Sequence, residues 1–202
     1  SAASDVYKRQ DQYSQIKRKL GAFPIVSIAP SNQPLFHIVT FDSYMGGKLA
    51  AKNLIASGYT VFGHIAGPLS KPEANLRRAG FIDEIKKNNF DLKFEFEGDH
   101  SYKSGRQAFK SLNINSFKNL GIFSSNDQMA MGFLSSAIEQ NKFLLKSWGI
   151  IGYDNTPSSK IFHPKLSSID TDLDQLASLS LEKLTTLVQN PSKDDSITTT
   201  LI

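Results

Sequence analysis

Short apolar runs that end in polar residues, each followed by a stretch with helical spacing, recur along almost the whole of this 202-residue chain. The clearest are the run into Ser124-Ser125-Asn126-Asp127-Gln128-Met129, the run Trp148-Gly149-Ile150-Ile151-Gly152-Tyr153-Asp154, and the run His163-Pro164-Lys165-Leu166-Ser167-Ser168-Ile169-Asp170. Strands alternating with helices imply parallel sheets built from right-handed β-α-β units. In open sheets of that kind ligands sit outside the carboxyl ends of the strands. The pattern therefore predicts an α/β protein with a polar small-molecule pocket along one sheet edge.

The predicted elements follow the periodicities. A helix over 12–20 stops at Gly21, and strands are expected over 24–28 and 37–41. Asp42 or Ser43 suits the cap of a helix reaching about residue 57, with Leu49 and Leu54 on its buried side and Gly58 at its end. A strand over 61–66 leads to a helix over 72–88, where Pro72 fits the first turn because its missing N–H costs nothing there. Alternation marks a strand over 94–97, and a helix over 104–112 and a strand over 120–123 follow. Met129, Phe133 and Ala137 form the apolar stripe of the next helix, and 148–153 is a strand. In the last helix Leu173, Leu176, Ala177, Ser180, Leu184, Leu187 and Val188 share a face, and a threonine-rich strand over 197–201 closes the chain. Apolar residues make up 40% of the chain, enough for a core. Periodicity alone leaves open whether there are one or two sheets.

Several function classes drop out. Residues 1–10 resemble a translated sequencing adaptor, with a transposon end over 5–10, and are set aside as an artefact. The remainder carries 21 basic and 18 acidic residues, a balance of +3, and its densest basic cluster, Lys17-Arg18-Lys19, suits a solvated helix face better than a phosphate track. No cysteine is present, which excludes disulfides, thiolate metal sites and cysteine nucleophiles and fits a reducing compartment. No apolar run approaches membrane-spanning length. Asp42-Ser43-Tyr44-Met45-Gly46-Gly47 lacks the GxGxxG spacing, and neither a P-loop nor a GxSxG motif occurs. His37, His64, His100 and His163 are isolated, so no metal pair is formed. Neither enzyme chemistry nor a cofactor or metal is expected.

Polar residues at strand ends, Asp42, Ser70, Asp99, Asn126, Asp127, Asp154 and Asp170, are the candidates for a pocket, with Arg77 the best cation. Carboxylates, amides and arginine converging on a cleft suit a ligand rich in hydroxyls. Each also has a structural alternative. Asn126 begins a helix and suits capping as well as ligand contact, whereas Asp42 and Asp127 suit capping better. Asp154 with Asn155-Thr156-Pro157 suits a turn equally well, and Arg77 within a helix reads as a surface residue.

Taken together, six blocks resemble the lactose-repressor (LacI/GalR) family of bacterial transcription regulators. They are Asp42 through Gly46-Gly47-Lys48-Leu49-Ala50 to Gly58-Tyr59; His64-Ile65-Ala66-Gly67-Pro68-Leu69-Ser70 through Leu76-Arg77-Arg78-Ala79-Gly80-Phe81; Glu97-Gly98-Asp99; Asn126 to Gly132; Gly152-Tyr153-Asp154-Asn155; and His163-Pro164 to Ile169. The likeness runs in order over 11–202. It implies a periplasmic-binding-protein-like (type I) α/β core of two parallel-sheet subdomains with an effector between them. By this likeness 11–57 with 172–190 form an amino-terminal subdomain lacking its first strands, and 58–171 with 194–202 form the other.

The resemblance assigns Arg77, Asn126 and Asp154 to effector hydrogen bonding, overriding the surface reading of Arg77. It adds Glu73, His100 and Thr171 as pocket positions that depart from the pattern. His100 stands where some sugar-responsive members have an aromatic residue, Thr171 and Leu173 where the type member has an amide and an aromatic, and Glu73 where it has a small hydroxyl residue. The implied function is the effector-binding, dimerising core of a cytoplasmic repressor, with a sugar or sugar phosphate as effector. Operator DNA would be met only through an amino-terminal domain missing from this chain. The alternative is the sugar-binding protein of a transport system, which shares fold and pocket.

Overall fold

A computed structural model describes residues 14–16, 18–21, 23–28, 36–113, 116–140, 148–190 and 198–201. The chain divides into two compact units, Ser1–Asp42 with Asp172–Ile202, and Ser43–Thr171. In the smaller unit β1 (Val26–Ser27), β2 (His37–Phe41) and the final strand β8 (Thr198–Leu201) form a parallel sheet in the order β1-β2-β8. Ile38 registers with Thr198 and Phe41 with Leu201. The last helix, α6 (Leu173–Gln189), is capped by Asp172, whose carboxylate accepts from Gln175 N at 2.9 Å. Val39, Leu176 and Leu201 are the core of this unit.

The larger unit holds β3 (Val61–Ala66), β4 (Leu92–Glu97), β5 (Leu120–Ser124), β6 (Trp148–Asp154) and β7 (Ser167–Asp170), all parallel, in the order β4-β3-β5-β6-β7. Its helices are α1 (Ser43–Ala56), α2 (Pro72–Lys87), α3 (Tyr102–Ser111), α4 (Asp127–Glu139) and the short α5 (Pro157–Ile161). Alternate residues of the central strands enter two separate cores. Ile65, Leu120 and Ile122 join Met129, Phe133 and Ala137 of α4, while Phe62 and Phe123 join Phe81 and Ile85 of α2. That is the period-two alternation of a sheet covered on both faces. The chain runs from β3 to β4 on one side and returns to β5 on the other, so the strand order reverses between β3 and β5. This is where an open α/β sheet opens a crevice at its carboxyl edge.

Both helical layers depend on reciprocal glycines. A Cβ on Gly47 of α1 would strike the Arg77 carbonyl of α2, and a Cβ on Gly80 of α2 would strike the Tyr44 carbonyl of α1. The other face repeats the device: Gly105 of α3 lies on the Met129 carbonyl of α4, and Gly132 of α4 on the Tyr102 carbonyl of α3. In each pair a glycine meets the residue three before its partner glycine, so the helices cross at backbone contact. Dispersion between main chains replaces interdigitating side chains there.

Three expectations change. The buried face of α1 is Ser43, Gly46, Gly47, Ala50, Ala51 and, beyond the crossing, Leu54, and Leu49 is 40% exposed, because a helix admits only small residues where it is approached this closely. In α6 the buried line narrows to Leu176 and Leu187, with Leu173, Ala177 and Val188 exposed; a sheet of three short strands gives a helix only a narrow seat. The expected boundaries also shift. The helix assigned with 11–57 belongs to the larger unit, because its small face packs on α2, and the closing strand assigned with 58–171 pairs with β2 in the smaller one. Periodicity identifies a strand but not the open edge that will accept its hydrogen bonds.

Replacing Gly80 by Ala should cost about 2 kcal/mol in urea unfolding, even though alanine is the better helix former by roughly 1 kcal/mol. Leu76→Ala, at a position 42% exposed one turn away, should move the midpoint little.

Candidate functional site

The carboxyl ends of β3, β5 and β6 deliver the predicted residues to one region of the larger unit. Arg77 lies in the second turn of α2, one turn after Glu73. Its Nη1 donates to the Ser125 carbonyl at 2.7 Å, its guanidinium carbon lies 3.7 Å from the Tyr153 ring centre, and its Nη2 is 3.9 Å from Asp154 Oδ1. Only 13% of the side chain is exposed, and Nε is buried with no partner among the described residues. The surface reading of a mid-helix arginine is therefore wrong here. The helix turns Arg77 inward because its own carbonyl sits on Gly47.

Asp154 ends β6 in an uncommon backbone conformation, φ 100°, followed by Asn155 at φ 49°. Two successive left-handed residues that are not glycine cost free energy and persist only where neighbours enforce them. Thr171 Oγ1 donates to the Asp154 carbonyl at 3.2 Å, and Asn155 N donates to Ser168 Oγ at 3.0 Å. Asp127 supplies the remaining brace. Fully buried at the start of α4, it accepts from Thr156 N at 2.7 Å, Thr156 Oγ1 at 3.1 Å and Ser168 Oγ at 2.6 Å. It lies against Gly152, where a Cβ would meet its carboxylate. Asp127 is thus support for the Asp154 turn and not the expected cap, which is Asn126.

Asn126 serves two neighbours at once. Its Oδ1 accepts from Met129 N at 3.0 Å, capping α4, and its Nδ2 donates to the His100 carbonyl at 3.0 Å. One amide hydrogen and one lone pair remain for a ligand. His100 takes φ 70°, and its ring lies over Gly67, where a Cβ would collide with Nε2. Burial, followed by the charges of Lys71 and Arg77, lowers its pKa to about 4, against the pull of Glu73 and Asp99, so the imidazole is neutral near pH 7. Asp99 accepts from Ser101 N at 2.9 Å, and its bonds with Ser101 and Ser104 hold it at about 2, closing the turn into α3. Ser70 and Asp170 are exposed.

Arg77, Asn126, Asp154 and His100 therefore belong to one cluster. Thr171 acts on it through the Asp154 backbone, and Glu73 through its charge on His100. Two participants escaped the sequence reading. Ser125 contributes a main-chain carbonyl, which no residue pattern reveals. Tyr153 could have been noticed as the aromatic residue immediately before Asp154.

Residues 51–202 match the family model described as a periplasmic binding protein-like domain. The chain belongs to that family. The HTH-type transcriptional repressor PurR of Mannheimia succiniciproducens is 30% identical over 179 residues, covering 87% of this chain and 53% of the repressor. The lactose operon repressor of Escherichia coli K12 is 30% identical over 166 residues, covering 82% and 46%. The chain thus spans about half the length of these relatives. Among solved structures, the lac repressor dimer bound to operator and the anti-inducer ONPF superposes with a TM-score of 0.81 at 27% identity, covering 95% of this chain and 66% of that one. The fold is the parallel α/β form expected of this family, and the relatives that the chain resembles are transcriptional repressors.

Burial pushes the Asp154 carboxyl up to about 6; the Arg77 charge opposes this and the Asp127 charge adds to it. An acid whose folded pKa lies above its unfolded value makes the folded state bind protons more readily, so its charged form costs stability above about pH 6. Asp154→Asn should therefore raise the melting temperature at pH 7.5. The difference should shrink as the pH falls from about 6 towards the ordinary carboxylate value, which thermal melts across that range would reveal.

Proposed function

We propose that this chain is the effector-sensing, dimerising core of a LacI-type transcriptional repressor, with a sugar or sugar phosphate held by Arg77, Asn126 and Asp154. The observation that carries the ligand class is the 3.9 Å separation between Arg77 Nη2 and Asp154 Oδ1. It is too long for a direct hydrogen bond, yet a hydroxyl oxygen about 2.8 Å from each would accept from the guanidinium and donate to the carboxylate. Asn126 offers one further donor and one further acceptor beside them. A polyol satisfies such alternating groups; an apolar ligand would leave them unpaired, at a cost of about 1–3 kcal/mol each.

The kinship with repressors supports the regulatory role. Effector binding would favour one of two conformations of the core by its differential affinity, and so change the population able to hold operator DNA. Operator contact is assigned to sequence outside the two α/β units, and the site of action to the cytoplasm, where the operator lies.

Isothermal calorimetry against D-ribose, D-glucose, D-galactose, lactose and the corresponding sugar phosphates tests the assignment. At least one should bind, and Arg77→Ala and Asp154→Ala should each weaken it tenfold or more, about 1.4 kcal/mol. Binding indifferent to both substitutions would sink the site. Affinity should also drop between pH 7.5 and pH 5, because Asp154 takes up a proton near pH 6 and becomes a weaker acceptor. Sedimentation at micromolar concentration should report a dimer.

A further inference from the structure

Tyr153 is 2% exposed and would ordinarily be read as one more core aromatic, since it packs with Phe123, its ring centre 6.5 Å away. Its other surroundings are specific. The hydroxyl end of the ring is seated over a missing side chain: a Cβ on Gly46 would come within 2.5 Å of Cε2 and 2.9 Å of the hydroxyl oxygen. The phenol lies beside the Ser43 hydroxyl at the start of α1. The ring is thereby wedged between α1 and the guanidinium of Arg77, which it meets face-on at 3.7 Å.

Arg77 has four rotatable side-chain bonds and, among the described residues, one short hydrogen bond, Nη1 to the Ser125 carbonyl; its approaches to the Tyr153 hydroxyl and to Asp154 are looser. A single bond leaves the guanidinium plane free to swing about it. A ring against its face removes that freedom, and in a desolvated setting such a cation–π contact is stronger than at an exposed one. With one face covered, the groups left for a ligand are the in-plane N–H bonds, among them those of Nη2, which lies 3.9 Å from Asp154 Oδ1.

We infer that Tyr153 is the positioning residue of the effector site: its ring, held by Gly46 and Ser43, sets the plane in which Arg77 presents its donors. This rests on the proposed role of Arg77 in effector binding. It also assigns the aromatic residue a purpose distinct from core filling, because only a flat ring, and not merely apolar bulk, does the aiming. The hydroxyl anchors the ring and is secondary.

The ligand-free 202-residue chain is sufficient for the test, so a failure here is separable from a failure to bind any sugar. In arginine-selective ¹⁵N NMR, the Nε–Hε signal of Arg77, assigned through Arg77→Lys, should lie upfield of those of Arg78 and Arg106 through the ring current of Tyr153. Slowed rotation about its Nε–Cζ bond should accompany the shift. Tyr153→Phe should retain both signatures, and Tyr153→Leu should lose them while keeping the near-ultraviolet signal of Trp148. An Arg77 signal unchanged in Tyr153→Leu would overturn the inference. Should that variant fail to fold, an unshifted, freely rotating Arg77 in the unmodified chain would overturn it as well.

Discussion

Main-chain contact between crossing helices, permitted only by glycine, is the constraint on which the larger unit rests. Where Gly47 and Gly80 bring α1 onto α2, the atom that Gly47 touches is the carbonyl of Arg77 itself. The helix thus has no freedom to slide or roll at the residue whose guanidinium must be aimed. On the other face Gly105 touches the Met129 carbonyl, and the amide of the same Met129 is capped by Asn126. Two of the three proposed effector contacts are therefore fixed by a crossing, Arg77 at its own carbonyl and Asn126 through the cap hydrogen bond to Met129. Helices separated by leucines would be held by rotamers that can change; these are held by main-chain atoms that cannot.

The third contact is fixed in another way. Asp154 stands in a backbone conformation that side chains disfavour, and it is kept there by Thr171, by Ser168 and by a buried carboxylate, Asp127, whose oxygens are taken up by Thr156 and Ser168. A buried charge is tolerable only when its lone pairs are occupied in this way. The stability of that brace offsets the strain and desolvation concentrated at Asp154, the usual division between a scaffold and the site it supports.

The strands, helices and layer type were legible in the residues because periodicity responds to burial, and burial here follows regular rules: the alternation over 94–97, within a strand that begins two residues earlier, and the four-residue stripe of α4 are direct readings of which side faces the core. The misplacements have one physical origin. Leu49, the face of α6 and the partner of β8 depend on what comes near an element from elsewhere in the chain, and a local pattern is blind to that. The site divides in the same manner. Arg77 stood out as the best cation, but its own helix pattern reads as surface, and only the family resemblance overrode that reading. Asn126 was open between two roles, and the geometry has it capping α4 and carrying His100 with half its capacity to spare. The clamp of Tyr153 on Arg77 joins residues 76 positions apart, and no spacing rule reaches so far.

The attachment of His100 has a bearing on how such a pocket diversifies. Its main chain is tethered by the Asn126 amide, while its imidazole merely occupies the space over Gly67. The tether does not depend on which side chain residue 100 carries. A chemistry-bearing position whose backbone is held by a neighbour can be exchanged for another residue that tolerates a left-handed conformation, leaving the α4 cap and the Arg77 clamp undisturbed. On the proposed function, selection for a new effector has a position it can change without first repairing the fold, and the cost of the change is confined to one side chain.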